Sequence, residues 1–351
     1  MANNASLAPA PKFSKLDALG IVLAALREAI WTLLRRLFGI KRRQEWGIQL
    51  ELMVAVYRGV WGLLPKLGIL RWRVVCEALS PLRTTGLTIE PTQWQGATGP
   101  LPGAWLNAPD AGDGVILYLH GGGFVFGSLR THGLLIGSLA RAAKARVFAP
   151  EYRLAPDHAA PAAQEDAIAA YRDLLQRGIP AKNIVLAGDS AGATLVLGTL
   201  LALRDSGEPM PAAGVLISPW VDLSGSGASF QANSAFDYLT KEACQHAAAC
   251  YLNGMDPLQS GVSPLYANLA SLPPLLVQLG TAEVLRDQAL DFVRRARAAN
   301  VPVECSEYAD MVHVWPLLMT PQARLATEEV GAYVRRCVGP AGVTAACTAP
   351  S

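Results

Sequence analysis

Residues 184–192 read Ile184-Val185-Leu186-Ala187-Gly188-Asp189-Ser190-Ala191-Gly192. The apolar start of this stretch runs into a tight pair of glycines. It then continues through Thr194, Leu195, Val196 and Leu197 to Leu200 and Leu201. Such a run predicts a buried strand, a sharp turn and a buried helix. The centre fits G-x-S-x-G, in which a serine sits on a strained strand-to-helix turn and its hydroxyl stands above a sheet. Gly188 and Gly192 read as small because strand and helix pass close to each other there. The helix N-terminus at the serine favours developing negative charge. Five letters also arise by chance in a Gly- and Ala-rich chain, so the rest of the sequence has to supply the partners such a serine needs.

Outward from this point the pattern is regular. Strands are expected at 115–119, 147–149, 184–187, 215–217, 275–279 and 303–308. Helices are expected at 134–143, 165–177, 193–203, 241–252, 288–299 and 321–338. Alternation of this kind predicts an α/β fold with a mostly parallel central sheet covered by helices on both faces. Two further short strands, 87–89 and 104–106, are separated by Gly96, Gly99, Pro100, Pro102 and Gly103, which favour turns.

Ligands of an open α/β sheet gather beyond the carboxyl ends of its strands. After 117–119 comes His120-Gly121-Gly122-Gly123-Phe124. Three glycines let the backbone approach a ligand and turn N–H groups inward. The expected oxyanion donors are the amides of Gly121 and Gly122, with that of Ala191. A phosphate cradle would want a Lys-Ser or Lys-Thr pair, and Phe124-Val125 stands there instead. A serine nucleophile also needs a base. The chain has five histidines: His120, His132, His158, His246 and His313. The order serine, acid, histidine leaves His246, inside an Ala-rich helix, and His313, in a loop after the strand 303–308. His313 is the expected base. The acid falls after 275–279, where Glu283 and Asp287 compete. Glu283 is nearer the strand end, and Asp287 stands where capping alone favours an acid, so Glu283 is chosen. Its task is to hold the tautomer of His313. Asp256 precedes the strand and is set aside.

Composition narrows the class. The chain has 351 residues, 51% apolar, with a net charge of +2, which gives no reason to expect nucleic acid. Its six cysteines form no C-x-x-C and no Cys/His cluster, so neither a metal nor a disulfide framework is expected, and a reducing cytoplasm is the simpler setting. No stretch is long enough to span a bilayer. Residues 1–15 read as a disordered N-terminus and 339–351 as a flexible tail. Within 16–85, Leu16, Leu19, Leu23, Leu26, Ile30, Leu33, Leu37 and Ile40 make an apolar seam punctuated by Arg27, Arg35, Arg36, Lys41, Arg42 and Arg43. Packing of this segment on the body or on a second subunit is preferred to peripheral contact of 16–43 with an anionic membrane. A homodimer through it stays open. Residues 45–80 continue as helix, broken near Pro65 and Gly68.

Taken together, the chain resembles the hormone-sensitive-lipase-like branch of the α/β-hydrolases, the bacterial esterases with a His-Gly-Gly-Gly loop. The match is carried by 120–124, Tyr152-Arg153-Leu154-Ala155-Pro156, 188–192, Ser218-Pro219-Trp220-Val221-Asp222-Leu223, Ser263-Pro264-Leu265, 283–287 and His313. Many members carry Asp-Pro-Leu at the acid position. This chain has Glu283-Val284-Leu285, similar to a subset resembling monoterpene lactone hydrolases and acyl esterases. The resemblance implies an α/β-hydrolase domain over 86–338, a cap from the N-terminal helices with part of 220–260, no cofactor, and a small-molecule ester as substrate. It implies hydrolysis of short to medium acyl esters through an acyl-enzyme on Ser190. A lactone or an acetylated natural product is the alternative substrate. A non-catalytic receptor on the same fold is the rival class, disfavoured because His313 is present.

Overall fold

The computed structural model describes residues 14–80, 87–318 and 320–338. Of the loose termini expected at 1–15 and 339–351, all but Ser14 and Lys15 lie outside the described residues, as does the expected cap boundary at 85 and 86. Ser14 already caps the first helix, its hydroxyl accepting from the Asp17 amide at 3.1 Å.

Among the described residues eight strands form one sheet: β1 (Thr88–Gly96), β2 (Gly99–Asn107), β3 (Val115–Leu119), β4 (Arg146–Pro150), β5 (Ile184–Asp189), β6 (Ala213–Ile217), β7 (Leu275–Gly280) and β8 (Val303–Tyr308). Their order is β1-β2-β4-β3-β5-β6-β7-β8. β2 runs antiparallel to β1 and to β4, and every other pair is parallel. β3, β5, β6 and β7 are buried along their whole length, as strands covered on both faces must be. Successive residues divide between two cores. Leu117, Leu186, Leu216 and Val277 face one side, and Ile116, Val185, Val215 and Leu276 face the other.

The β1–β2 hairpin is longer than expected. Pro91, Pro100 and Pro102 discourage a strand reading, but all three sit in ladder positions. β1 is an edge strand. The register of β2 with β4 covers only 103–106, so the missing N–H groups of Pro100 and Pro102 break no inner ladder.

The helices are α1 (Lys15–Leu37), α2 (Ile48–Trp61), α3 (Leu64–Leu67), α4 (Ile69–Leu79), α5 (Leu129–Ala143), α6 (Ala162–Gln176), α7 (Ala191–Asp205), α8 (Ser229–Ala232), α9 (Lys241–Leu252), α10 (Arg286–Ala298) and α11 (Pro321–Cys337). α5 and α11 pack on one face of the sheet and α6, α7 and α10 on the other. Residues of α2, α4 and α9 lie over the carboxyl ends of the strands.

α1 packs on α2, but by the side opposite its seam. Gly59 lets the two helices meet: a Cβ there would lie 2.8 Å from the Ala24 carbonyl oxygen. Ile21 and Thr32 are buried, and the buried carboxylate of Glu51 accepts from Arg36 Nε at 2.6 Å and from the Arg42 amide at 2.8 Å. The leucine seam is left at the surface, from Leu16 at 80% exposed to Leu37 at 80%. The segment thus packs on the body, as preferred, but its leucine seam does not; a second subunit is the other half of that expectation. The small residues and the Arg36–Glu51 pair win the contact with α2.

Candidate active site

β5 ends at Asp189 and α7 starts at Ala191, leaving Ser190 alone in the bend with φ 51° and ψ −119°. That backbone is strained for a residue with a Cβ. The flanking glycines make the bend possible. A Cβ on Gly188 would sit 2.6 Å from Gly192 C, and one on Gly192 would sit 1.9 Å from the Leu119 carbonyl oxygen. The Ser190 amide donates to the Ile217 carbonyl at 2.9 Å, which ties the elbow to β6. The serine side chain caps nothing on α7, and its hydroxyl is free for other work.

His313 reaches Ser190 from the loop after β8. Its Nε2 lies 2.9 Å from Ser190 Oγ, and its Nδ1 lies 3.5 Å from Glu283 Oε2. Glu283 stands just beyond β7. Its other oxygen, Oε1, accepts from the Gly280 amide at 2.6 Å and from Ser218 Oγ at 2.7 Å, so the carboxylate is fixed on the side away from the imidazole. Ser218 Oγ in turn accepts from the Val314 amide at 3.0 Å. The three residues expected to act together are thus brought together and buried. Asp287 is not among them. Its carboxylate accepts from the Ser229 amide at 2.8 Å, a structural tie to α8. His246 lies exposed on α9, and Asp256 accepts from the Leu258 amide in an exposed turn.

A second carboxylate, which no local pattern marks, stands at this base. Asp237, fully buried, accepts from the His313 backbone amide at 3.1 Å and from the Val284 amide at 2.8 Å. Burial pushes the Asp237 carboxyl up, and it pushes Glu283 up as well. Burial also opposes charge on His313. The hydrogen bond and charge of Glu283, with the charges of Asp237 and Asp189, outweigh it, and the imidazole is held above its ordinary 6.5. A general base must be neutral to accept the serine proton. The acid limb of kcat/KM is therefore expected above pH 6.5, with activity falling as pH drops through it. A pH–rate profile on a soluble ester checks this, and a limb well below 6.5 would contradict the assigned surroundings of His313.

The glycine loop holds a correction. The Gly121 amide, expected to face a ligand, donates instead to Asp189 Oδ1 at 3.0 Å. A Cβ at Gly121 would meet the same carboxylate at 2.2 Å. Gly122, with φ 111°, and Gly123, with φ 61°, line the cavity above Ser190. Asp189 thereby anchors the loop. It also accepts from Tyr118 Oη at 2.6 Å and lies 3.4 Å from His132 Nε2. Burial opposes both charges of this last pair, but mutual attraction prevails: His132 is raised and Asp189 lowered. His132 escaped notice because it precedes Ser190, outside the chain order searched. Tyr152 supports the loop from below, its hydroxyl donating to the His120 carbonyl at 2.6 Å.

Ser190 and His313 open into a cavity of 530 Å³. Its walls are apolar: Met53, Val56 and Trp61 from α2, Trp72 and Val75 from α4, and Cys244 and Ala247 from α9, with Tyr238 and Phe126 between them. The guanidinium of Arg73 on α4 donates to the carbonyls of Val125 and Ala155 and pairs with Asp157, which pins α4 to the segment just after the glycine loop. Among the described residues no group of three or more His, Cys, Asp or Glu is placed to hold a metal ion.

Comparison with known proteins agrees with this fold. A family profile described as α/β-hydrolase fold matches residues 116–317. An acetyl-hydrolase of Streptomyces hygroscopicus is 44% identical over 240 residues, 67% of this chain and 80% of that protein. The crystal structure of the esterase EstE5, soaked with p-nitrophenyl butyrate, superposes with a TM-score of 0.79 at 35% identity, covering 84% of this chain and all of EstE5. An esterase of the bacterial hormone-sensitive lipase family gives 0.71 at 37% identity, over 93% of this chain and 100% of its own.

Proposed function

The chain belongs to the hormone-sensitive-lipase family of α/β-hydrolases and is an ester hydrolase; from that premise we propose that it cleaves short to medium acyl esters through an acyl-enzyme on Ser190. The observation that carries this reading is the 2.9 Å contact between Ser190 Oγ and His313 Nε2 at the floor of an apolar cavity. His313 takes the serine proton as Oγ attacks the acyl carbon. The amides of Gly122, Gly123 and Ala191 receive the oxyanion, a set that departs from the expected one at Gly121 because that amide is engaged by Asp189. His313 then returns its proton to the leaving alcohol. The same imidazole activates water to release the acid. Glu283 holds the tautomer and offsets the charge on the ring. The helices α2, α4 and α9 act as a cap and set the size of the acyl group. The cavity lies within the ~300–1,000 Å³ usual for small-molecule sites.

A panel of p-nitrophenyl esters from acetate to palmitate, with a lactone added, tests the substrate class. The expected result is kcat/KM highest at the short to medium members and lower by about tenfold or more at palmitate, which corresponds to ~1.4 kcal/mol of transition-state binding. Palmitate as the best substrate would refute it. The 44% identical acetyl-hydrolase favours a second reading, an acetylated natural product, and a sharp optimum at acetate would select it. Neither reading uses the exposed face of α1.

A further inference from the structure

We infer that the exposed face of α1 docks this protein on an anionic phospholipid surface. The helix has 23 residues, ~35 Å at about 1.5 Å per residue, and its exposed residues are apolar except for Lys15 and Arg27. Leu16, Leu19, Leu23, Leu26, Ile30, Leu33 and Leu37 follow one another in steps of three and four, and all are exposed. Val22, Trp31, Leu34 and Phe38, also exposed, widen this row to about half of the helix circumference. Isolated exposed leucines need no explanation, but a contiguous face of this kind marks an interaction surface.

Three observations select a lipid surface as its occupant. The first is charge. Residues 15–43 hold seven cations, Lys15, Arg27, Arg35, Arg36, Lys41, Arg42 and Arg43, against Asp17 and Glu28, in a chain whose net charge is only +2. Arg36, Arg42 and Arg43 are turned inward to Glu51, the Ala235 carbonyl and Asp310. Lys15, Arg27 and Lys41 remain exposed, Lys15 and Arg27 among the apolar side chains of α1 and Lys41 just beyond it; Arg27 pairs with Glu28 at 2.9 Å but stays at the surface, where all three can reach lipid phosphates.

The second is width. A two-stranded seam with a second copy covers only the narrow row repeating every three and four residues. It would leave Val22, Trp31, Leu34 and Phe38 in water, whereas a membrane interface covers all of them. Among the described residues no helix is long and apolar enough to cross a membrane, so α1 would lie in the interface.

The third is continuity with the cavity. α2, on which α1 packs, lines the cavity with Met53, Val56, Tyr57 and Val60. Leu79 and Leu134 line it too and are exposed. Docking through α1 would bring this apolar rim toward the lipid, where a water-averse ester is already concentrated.

The test is flotation of the full chain with vesicles of phosphatidylcholine, with and without phosphatidylglycerol, beside the double variant Leu23→Glu/Ile30→Glu. Both side chains point to solvent, so the variant should hydrolyse p-nitrophenyl butyrate at the wild-type rate. Wild type is expected to float with the anionic vesicles, less so with neutral ones and less so as salt rises. The variant is expected to bind about a hundredfold more weakly, from the loss of two buried apolar groups. A Ser190→Ala chain should float like wild type, because docking does not depend on the triad. Failure of wild type to float, equal flotation on neutral vesicles, or equal flotation of the variant would overturn the inference. So would light scattering that finds a dimer in wild type and a monomer in the variant with neither floating, which would assign the face to a second copy.

Discussion

Alanine at Ser190 or at His313 is expected to lower kcat for p-nitrophenyl butyrate by about 10⁶-fold, and both substitutions together should cost little more than either. In the proposed mechanism the two side chains act as one unit. Ser190 Oγ is a poor nucleophile until His313 Nε2, 2.9 Å away, accepts its proton. Without the imidazole the hydroxyl remains a neutral alcohol, and without the hydroxyl the imidazole has nothing to activate. The residual rate would come from the glycine-loop amides and the cavity, which still bind the ester and its oxyanion. Steady-state kinetics of the two single variants and the double variant check the prediction. Multiplicative losses would mean that the residues work independently, contrary to the geometry.

Glutamine at Glu283 is expected to lower kcat by about 10⁴-fold while the protein stays folded. The carboxylate faces His313 Nδ1 with Oε2 and is held from behind by the Gly280 amide and Ser218 Oγ. An amide in its place keeps the size but presents either an N–H to the imidazole or a neutral carbonyl. It then favours the wrong tautomer or fails to offset the imidazolium. Loss of the carboxylate should also move the acid limb of kcat/KM to lower pH, since Glu283 is the largest contribution holding the His313 pKa up against burial. Asp287→Asn is the control. Asp287 bonds the Ser229 amide and not the imidazole, so its variant should keep kcat within about a few-fold of wild type. If Asp287→Asn is the inactive one, the acid has been misassigned.

The parts legible in the sequence were those where chemistry and chain order coincide. β3, β5, β6 and β7 are apolar because both faces are covered, and their runs could be read directly. Ser190, Glu283 and His313 each follow a strand, so an ordered search along strand ends finds them. What escaped depends on contacts distant in sequence. Asp237 meets His313 across 76 residues, and no local pattern marks it. Asp189 looked like the variable letter of G-x-S-x-G. Only the fold shows it bonded to the Gly121 amide, the bond from which the proposed oxyanion set of Gly122, Gly123 and Ala191 follows. Periodicity also established that α1 has an apolar side without saying which side the protein uses. Gly59 and Glu51 on α2 settle that, and neither belongs to the repeat.

The most direct test of the central claim, that Ser190 is a nucleophile made reactive by His313, is covalent trapping. The protein is reacted with diethyl p-nitrophenyl phosphate, weighed intact, and digested to locate the adduct. The predicted result is a single diethylphosphoryl group per chain, on Ser190, appearing together with the loss of esterase activity and absent from His313→Ala over the same time. Inactivation with Ser190 unmodified, or labelling of Ser190 at the same rate without His313, would contradict it.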